Sequence, residues 1–487
     1  MIRKTRTPAL LASLALISGC VVGPQFEDPQ PQVPTQWGRS LGGARESGFN
    51  DREIDERWWE QFGDEKLAQL VERARAANLD LRIAVLRVAQ SRARRDAAAG
   101  NRSPTVAATA QYRRQRQSEF GTGTRLIDAI ASPADSDAII DVLSEPHDMY
   151  QAGFDASWEI DLWGRMRRAL ESAEAAVAAS EAELSGAEIS LAAEVARTYL
   201  ELRGTQDQLR IAREDVAAAE DLLELTEFRA NGGLVTQLDV VAQRARLAES
   251  RSRVAALEQR KAQLTEALSF MVGQPPGALA SQLDGASSPP TPPVSINLGI
   301  PSDLARRRPD IRAAEARLQA ATAEVGVAVS DFYPRFTLTG GYLHEALSGG
   351  DLAEWGARQW SIGPSLYLPI FDGSRRRSML ELRKLQQQEA ATSYQRAVLE
   401  AWHEIDTSLQ IYLQEWQRNN QLVEAVAASR EAHEIASTRY RHGLSDYLVA
   451  LDAQRTLLQS QQALSESNTL LTTRLVALYK ALGGGWR

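Results

Sequence analysis

The chain has 487 residues, of which 44% are hydrophobic and 24% charged, with one cysteine and a formal net charge of -8. That composition suits a folded protein with a sizeable core and excludes a disordered one. No run of lysines or arginines interleaves with aromatics, so nucleic acid is excluded as a partner, and a single thiol excludes an internal disulfide.

The N-terminus reads "MIRKTRTPALLASLALISGC": a basic start (Arg3, Lys4, Arg6), an apolar stretch from Ala9 to Ile17, then small residues. This is the layout of a secretory signal, too short to remain as a membrane span. Its removal leaves 52 basic against 63 acidic residues, a formal -11. Cys20 stands at the cleavage point, and Ile17-Ser18-Gly19-Cys20 resembles a bacterial lipobox, whose cysteine is acylated (palmitate among the acyl groups). The alternative is a cysteine with no such role. Val21 after it resembles lipoproteins sorted to the outer membrane. Pro24, Pro29, Pro31 and Pro34 then favour an extended tether over a helix. No later stretch is long and apolar enough for a transmembrane helix, so any passage through a membrane must be made by strands.

The two halves of the chain align with one another. Residues 78–112 lie without gaps on 308–342, pairing Asp80 with Asp310, Arg82 with Arg312, Pro104 with Pro334 and Tyr112 with Tyr342 at an offset of 230. Further on the offset is 210, pairing Gly153 with Gly363, Arg165 with Arg375, Gly233 with Gly443 and Gly273 with Gly483. The first half therefore carries 20 extra residues within 113–150, a polar, turn-rich stretch expected to form an enlarged surface loop. The expected organisation is a signal at 1–19, a lipid-linked extended segment at 20–57, a first repeat at 58–274, a linker at 275–297, a second repeat at 298–483 and a tail at 484–487. The two repeats are expected to form one integrated domain.

Each repeat predicts a helix, a strand pair and two long helices. Ala152, Phe154, Ala156, Trp158 and Ile160 alternate with polar or small neighbours, as do Ile362, Leu366, Leu368 and Ile370, and "FTLTGGYL" (336–343) supplies a further strand. Four strands of about ten residues suit a membrane span but cannot close, because the smallest membrane barrels have eight. Either several chains share one barrel, or the strands form a soluble sheet packed on helices.

From Arg165 to Phe228 no proline occurs, and apolar residues recur every seven positions: Val195, Leu202, Leu209, Val216, Leu223. Thr198, Thr205, Ala212, Ala219 and Thr226 lie three further on, and the second repeat continues the pattern as Ile405, Tyr412, Asn419, Val426 and His433. Such heptads predict long antiparallel helical hairpins packed as coiled coils. The histidines (His147, His344, His403, His433, His442) show no metal-ligand spacing, "GTGTRL" lacks the third glycine of a dinucleotide fingerprint, and no catalytic constellation is legible. No enzyme, cofactor or metal is expected.

"WWEQFGDEKLAQLVERARAANLDL", "RRRPDIRAAEARLQAATAEVGVAVSDFYPRFTLTGG", "PSLYLPIFDGSRRR" and "ALYKALGGGW", with the segment after Cys20, together resemble the outer membrane factor family of TolC-like exit ducts, in its efflux-type lipoprotein branch (NodT- and OprM-like). The resemblance implies a mainly α fold with a small membrane β part. Three chains would share a 12-stranded barrel continued by a helical periplasmic tunnel. It implies a homotrimer in the outer membrane, lipid-anchored and barrel-inserted, that passively conducts substrates. Its partners would be a periplasmic adaptor, an inner-membrane pump of the proton-driven RND type and outer membrane lipid. The alternatives are the exit duct of a type I protein secretion system and, further off, a lipid-anchored adaptor, which would carry one hairpin rather than two.

By the same resemblance Gly233-Leu234 and Gly443-Leu444 are the helix-to-helix tips that contact the adaptor. Asp239 and Tyr440 become candidates for an inter-helix hydrogen bond holding the tip shut. Asp452 is the candidate for an acidic pore ring, with a solvated helix residue as the alternative reading. Val449 stands where the family's fullest pattern has a second aspartate, Ser445 where some relatives have an arginine, and Asp446 belongs to the turn.

Overall fold

The computed structural model describes residues 21–29, 49–50, 54–130, 132–285, 289–293, 295–298 and 307–484. The expected secretory signal at 1–19 and Cys20 lie outside the described residues.

In chain order the longer elements are α1 (Glu65–Ala77), α2 (Leu79–Gly100), β1 (Thr105–Gln115), α3 (Thr122–Ile130), α4 (Pro133–Ser144), β2 (His147–Ile160), α5 (Arg165–Asn231) and α6 (Gln237–Met271). They continue as α7 (Pro309–Ser330), β3 (Arg335–Ala346), β4 (Arg358–Tyr367), α8 (Arg375–Arg441) and α9 (Tyr447–Ala481). The repeat is plain: α5 and α8 have 67 residues each and α6 and α9 have 35 each. At 1.5 Å per residue a helix of 67 residues is about 100 Å long.

Two compact units divide the chain. The first comprises Met1–Glu27, Arg92–Ala176 and Gln319–Glu389. It holds a four-stranded antiparallel sheet in the order β1-β2-β3-β4, whose strands of 11, 14, 12 and 10 residues are of membrane-crossing length. One face of the sheet carries Val106, Phe154, Trp158, Tyr342, Trp360, Ile362 and Leu366, all exposed. β1 and β4 are edges, and among the described residues no further layer covers this apolar face. Behind Cys20, Val22 N–H donates to the Trp163 carbonyl at 3.1 Å, which docks the extended segment at the foot of β2.

Three details depart from the sequence expectation. The 113–150 stretch is not an irregular loop: β1 and β2 run into it and enclose the helices α3 and α4. Its start signal was present, since Pro133 directly follows Ser132 and proline suits the first helical turn. Helix α5 runs three residues past Phe228, to the glycine pair that ends it. β4 stops at Tyr367, short of Leu368 and Ile370.

The second unit comprises Asp28–Ser91, Val177–Leu318 and Ala390–Arg487. Its core forms where the "WWEQF" turn meets the helices. Trp58 and Trp59 are fully buried, Trp58 stacks on Tyr479 with ring centroids 5.2 Å apart, and the Tyr479 hydroxyl donates to Gln61 Oε1 at 2.8 Å. Asp64 caps α1 through Oδ1, accepting from Lys66 N at 2.9 Å, while its Oδ2 accepts from the Tyr199 hydroxyl at 2.6 Å. One carboxylate thus ties the cap of α1 to the middle of α5.

The hairpins are antiparallel. Gln243 Nε2 of α6 donates to the Ala219 carbonyl of α5 at 2.9 Å, and further from the turn Ser250 Oγ donates to Asp215 Oδ2 at 2.6 Å. Along the expected heptad, Val195, Leu202 and Leu209 are buried, as are Thr198, Thr205, Ala212, Ala219 and Thr226. The row of small residues is therefore the closer-packed one, as backbones in tight approach require. In the second repeat Ile405, Tyr412, Asn419 and Val426 are buried on the same period, which continues through His433 to Tyr440.

Candidate functional site

Both hairpins turn over the same five-residue break, and the backbone solution is the same. Gly233 has φ 71° and Gly443 has φ 73°, the left-handed region where a Cβ is penalised. Leu234 N–H reaches back to the Arg229 carbonyl at 2.9 Å and Gly233 N–H to Ala230 at 3.0 Å. Leu444 N–H reaches Arg439 at 2.8 Å and Gly443 N–H reaches Tyr440 at 3.0 Å. These are paired Schellman closures, satisfying carbonyls that a helix end would leave open. Leu234 and Leu444 project from the turns and are exposed, as are Leu238 and Leu448 four residues later. Leu238 and Leu448 escaped sequence reasoning, although the offset of 210 aligns them. Each tip therefore presents two apolar side chains to its surroundings.

The bond expected between Asp239 and Tyr440 is not made. Asp239 Oδ2 accepts from Thr236 N at 2.9 Å and Thr236 Oγ1 at 2.8 Å, a capping box that begins α6. A carboxylate three residues past a threonine N-cap is held locally, so it is not free to cross to the other hairpin. The Tyr440 hydroxyl is buried without a hydrogen-bond partner among the described residues. Its ring is held instead: the Arg229 guanidinium lies 4.3 Å from its centroid, and Arg229 Nη2 donates to the Tyr440 carbonyl at 3.3 Å.

A side-chain to side-chain hydrogen bond between the hairpins at the tip comes from Tyr447. Its hydroxyl donates to Gln243 Oε1 at 2.5 Å, and Gln243 passes the link on to the Ala219 carbonyl. Burial pushes the Tyr447 phenol up to about 12, so it stays a donor throughout the physiological range. Tyr440 and Tyr447 meet edge to face with centroids 6.0 Å apart. Tyr447, Gln243 and Arg229 were missed because each is an ordinary helix residue in the sequence; only Tyr440 and Tyr447, seven apart across a glycine turn, offered a signal.

Asp452 lies outside this set of contacts. It is exposed and borders an open groove of about 830 Å³ with Arg439, Ser445, Leu448 and Val449. Val449 is exposed beside it, so this surface of α9 carries one carboxylate with aliphatic neighbours. Asp446 stands at the N-cap of α9 without a side-chain capping bond.

Known proteins share this architecture. Two stretches of the chain, residues 70–274 and 300–484, match the family described as outer membrane efflux protein. The pyoverdine export outer membrane protein OpmQ of Pseudomonas aeruginosa is 32% identical over 98% of this chain and 97% of its own length. Outer membrane protein OprJ of the same species is 32% identical over 98% of this chain and 95% of its own. Among solved structures, the outer-membrane channel OprN superposes with a TM-score of 0.87 at 34% identity, covering 96% of this chain and all of that one. The open state of the Neisseria gonorrhoeae MtrE channel superposes with a TM-score of 0.78 at 27% identity, covering 96% of this chain and 98% of that one. With two glycine-closed hairpins and a strand pair repeated in one chain to make a four-stranded sheet, this protein belongs to the outer membrane efflux protein family.

Proposed function

We propose that the chain is the outer membrane exit duct of a tripartite efflux system. It passively conducts substrates delivered by an inner-membrane pump through a periplasmic adaptor, and it performs no chemistry. The observation that carries this reading is the sheet: four strands of lipid-spanning length, apolar on an uncovered face, with two unpaired edges. In lipid those edges must be paired, and several copies closing one barrel pair them all. Three copies give the 12-stranded barrel that the family resemblance implies, and α5, α6, α8 and α9 then supply the periplasmic conduit.

The tips are the gate and the adaptor contact in this proposal. Exposed Leu234, Leu238, Leu444 and Leu448 suit the apolar seam of an adaptor's helical hairpin. Asp452 from each copy forms one acidic ring, and Tyr447 with Gln243 and Arg229 with Tyr440 hold each tip in its closed arrangement. Acylation at Cys20 anchors the mature N-terminus in the outer membrane. The pump is of the proton-driven type that the family resemblance implies.

The test is accumulation of a fluorescent pump substrate in the native host after deletion of this chain. Dye uptake should rise, and re-expression should restore it. Unchanged accumulation, in a strain whose other exit ducts have been removed, would contradict the proposal.

A further inference from the structure

Resting on the duct reading, we infer the residue-by-residue register of the seam between copies: β4 of one copy pairs with β1 of the next, Ile370 opposite Val106, Ser365 opposite Gln111 and Trp360 opposite Arg116. The register comes from a symmetry the chain already displays. Moving β1 by 230 and β2 by 210 turns the pair Thr105 with Ser157 into Arg335 with Tyr367, and that is the pairing observed between β3 and β4. The repeat offsets are therefore exact in the sheet, not only in the sequence. The remaining ladder, β2 with β3, runs from Tyr150 opposite Ala346 to Ile160 opposite Phe336. Carrying β2 forward by 210 and β3 back by 230 places 360–370 against 106–116 of the next copy.

Three features of the sheet accord with it. The first is parity: in all three observed ladders even-numbered residues face even-numbered ones, and the apolar face is even throughout. The inferred seam keeps it so, with Leu366 opposite Ala110 and Leu368 opposite Ala108; a slip of one residue would turn an apolar row into the lumen.

The second is length. Sequence alternation carries β4 to Ile370, yet in the single chain it ends at Tyr367, leaving Ile370 92% exposed. Its repeat equivalent, Ile160, is a paired strand residue opposite Phe336. The seam supplies the missing partner, and β4 extends to Ile370 on assembly.

The third is a glycine without a visible purpose. A Cβ at Gly153 would lie 2.3 Å from the Tyr342 carbonyl oxygen, so close pairing with β3 demands glycine there. Its equivalent, Gly363, has nothing within 4 Å in the single chain. In the inferred seam Gly363 meets Arg113, with the Tyr112 carbonyl beside it, and the same close approach recurs.

Cysteine pairs test the register in the assembled protein, with Cys20 kept as the lipid anchor. Ser365→Cys with Gln111→Cys should give oxidised dimers and trimers on denaturing gels about tenfold more than Ser365→Cys with Thr109→Cys or Arg113→Cys, whose diagonal separations exceed disulfide reach. A shifted pair that links best would overturn the register, as would no linkage in particles of native trimer mass. Particles that are not oligomeric at all would instead overturn the duct reading. Hydrogen exchange on the unmodified protein gives a second readout: the amides of Leu368 and Ile370, and of Val106 and Ala108 opposite them, should be protected in the oligomer, and rapid exchange there would also overturn the seam.

Discussion

At the residue scale the tip is decided by which groups find partners. Tyr447 to Gln243 is a buried hydrogen bond between hairpins, and Tyr447→Phe leaves Gln243 Oε1 unpaired at a cost of about 1–3 kcal/mol. Tyr440→Phe removes only a hydroxyl that finds no partner among the described residues, so it should cost well under 1 kcal/mol. Differential denaturation of the two variants separates them; equal losses would contradict the assignment of the lock to Tyr447. His433 offers a pH handle. Its half-buried imidazole is held below the ordinary range by desolvation, with Glu434 opposing that shift and Arg441 adding to it. The unfolded chain therefore binds more protons, and stability should fall as the pH drops through about 6.5 toward the lower folded value. His433→Leu, which installs the residue found at the equivalent Leu223, should flatten this part of the pH–stability curve. An unchanged slope would remove His433 as its source.

At the element scale the turn glycines and the heptads carry the architecture, and both were legible from the sequence. A positive φ at Gly233 and Gly443 demands glycine, so Gly443→Ala should cost about 1–2 kcal/mol and leave the distant core intact. Thermal unfolding monitored separately at the tip and at Trp58 checks this; no shift at the tip would contradict it. Asn419 lies on the apolar seam where the first repeat has Leu209, and it donates to Asn468 Oδ1 at 2.8 Å and Ser467 Oγ at 3.1 Å. A buried amide at a seam position fixes the register of its hairpin. What the sequence left open at this scale has a physical cause. Helices α3 and α4 are short and lie within a polar, turn-rich stretch, so composition pointed to loop. Asp239 carries the same signal whether it caps its own helix or crosses to another, and only the geometry separates those two uses.

At the scale of the whole molecule, four strands posed a closure problem that one chain cannot solve. Period-two alternation revealed the strands, and the two-fold repeat revealed their equivalence, but edge strands have no partner inside the sequence that encodes them. The offsets of 210 and 230 solve that part once the observed ladders show that they hold in the sheet. The small-residue row of α5 was legible because the heptad persists over five repeats, whereas the exposed leucines of the tips resemble ordinary surface residues until the turn is seen. The central claim is that several copies form one continuous passage. Single-channel recording of the purified protein in a planar lipid bilayer tests it most directly. Discrete, ohmic conductance steps are expected, larger in Tyr447→Phe than in the unaltered protein on the proposal that the closed tips are the constriction; reconstituted oligomers that never conduct, with or without that substitution, would contradict it.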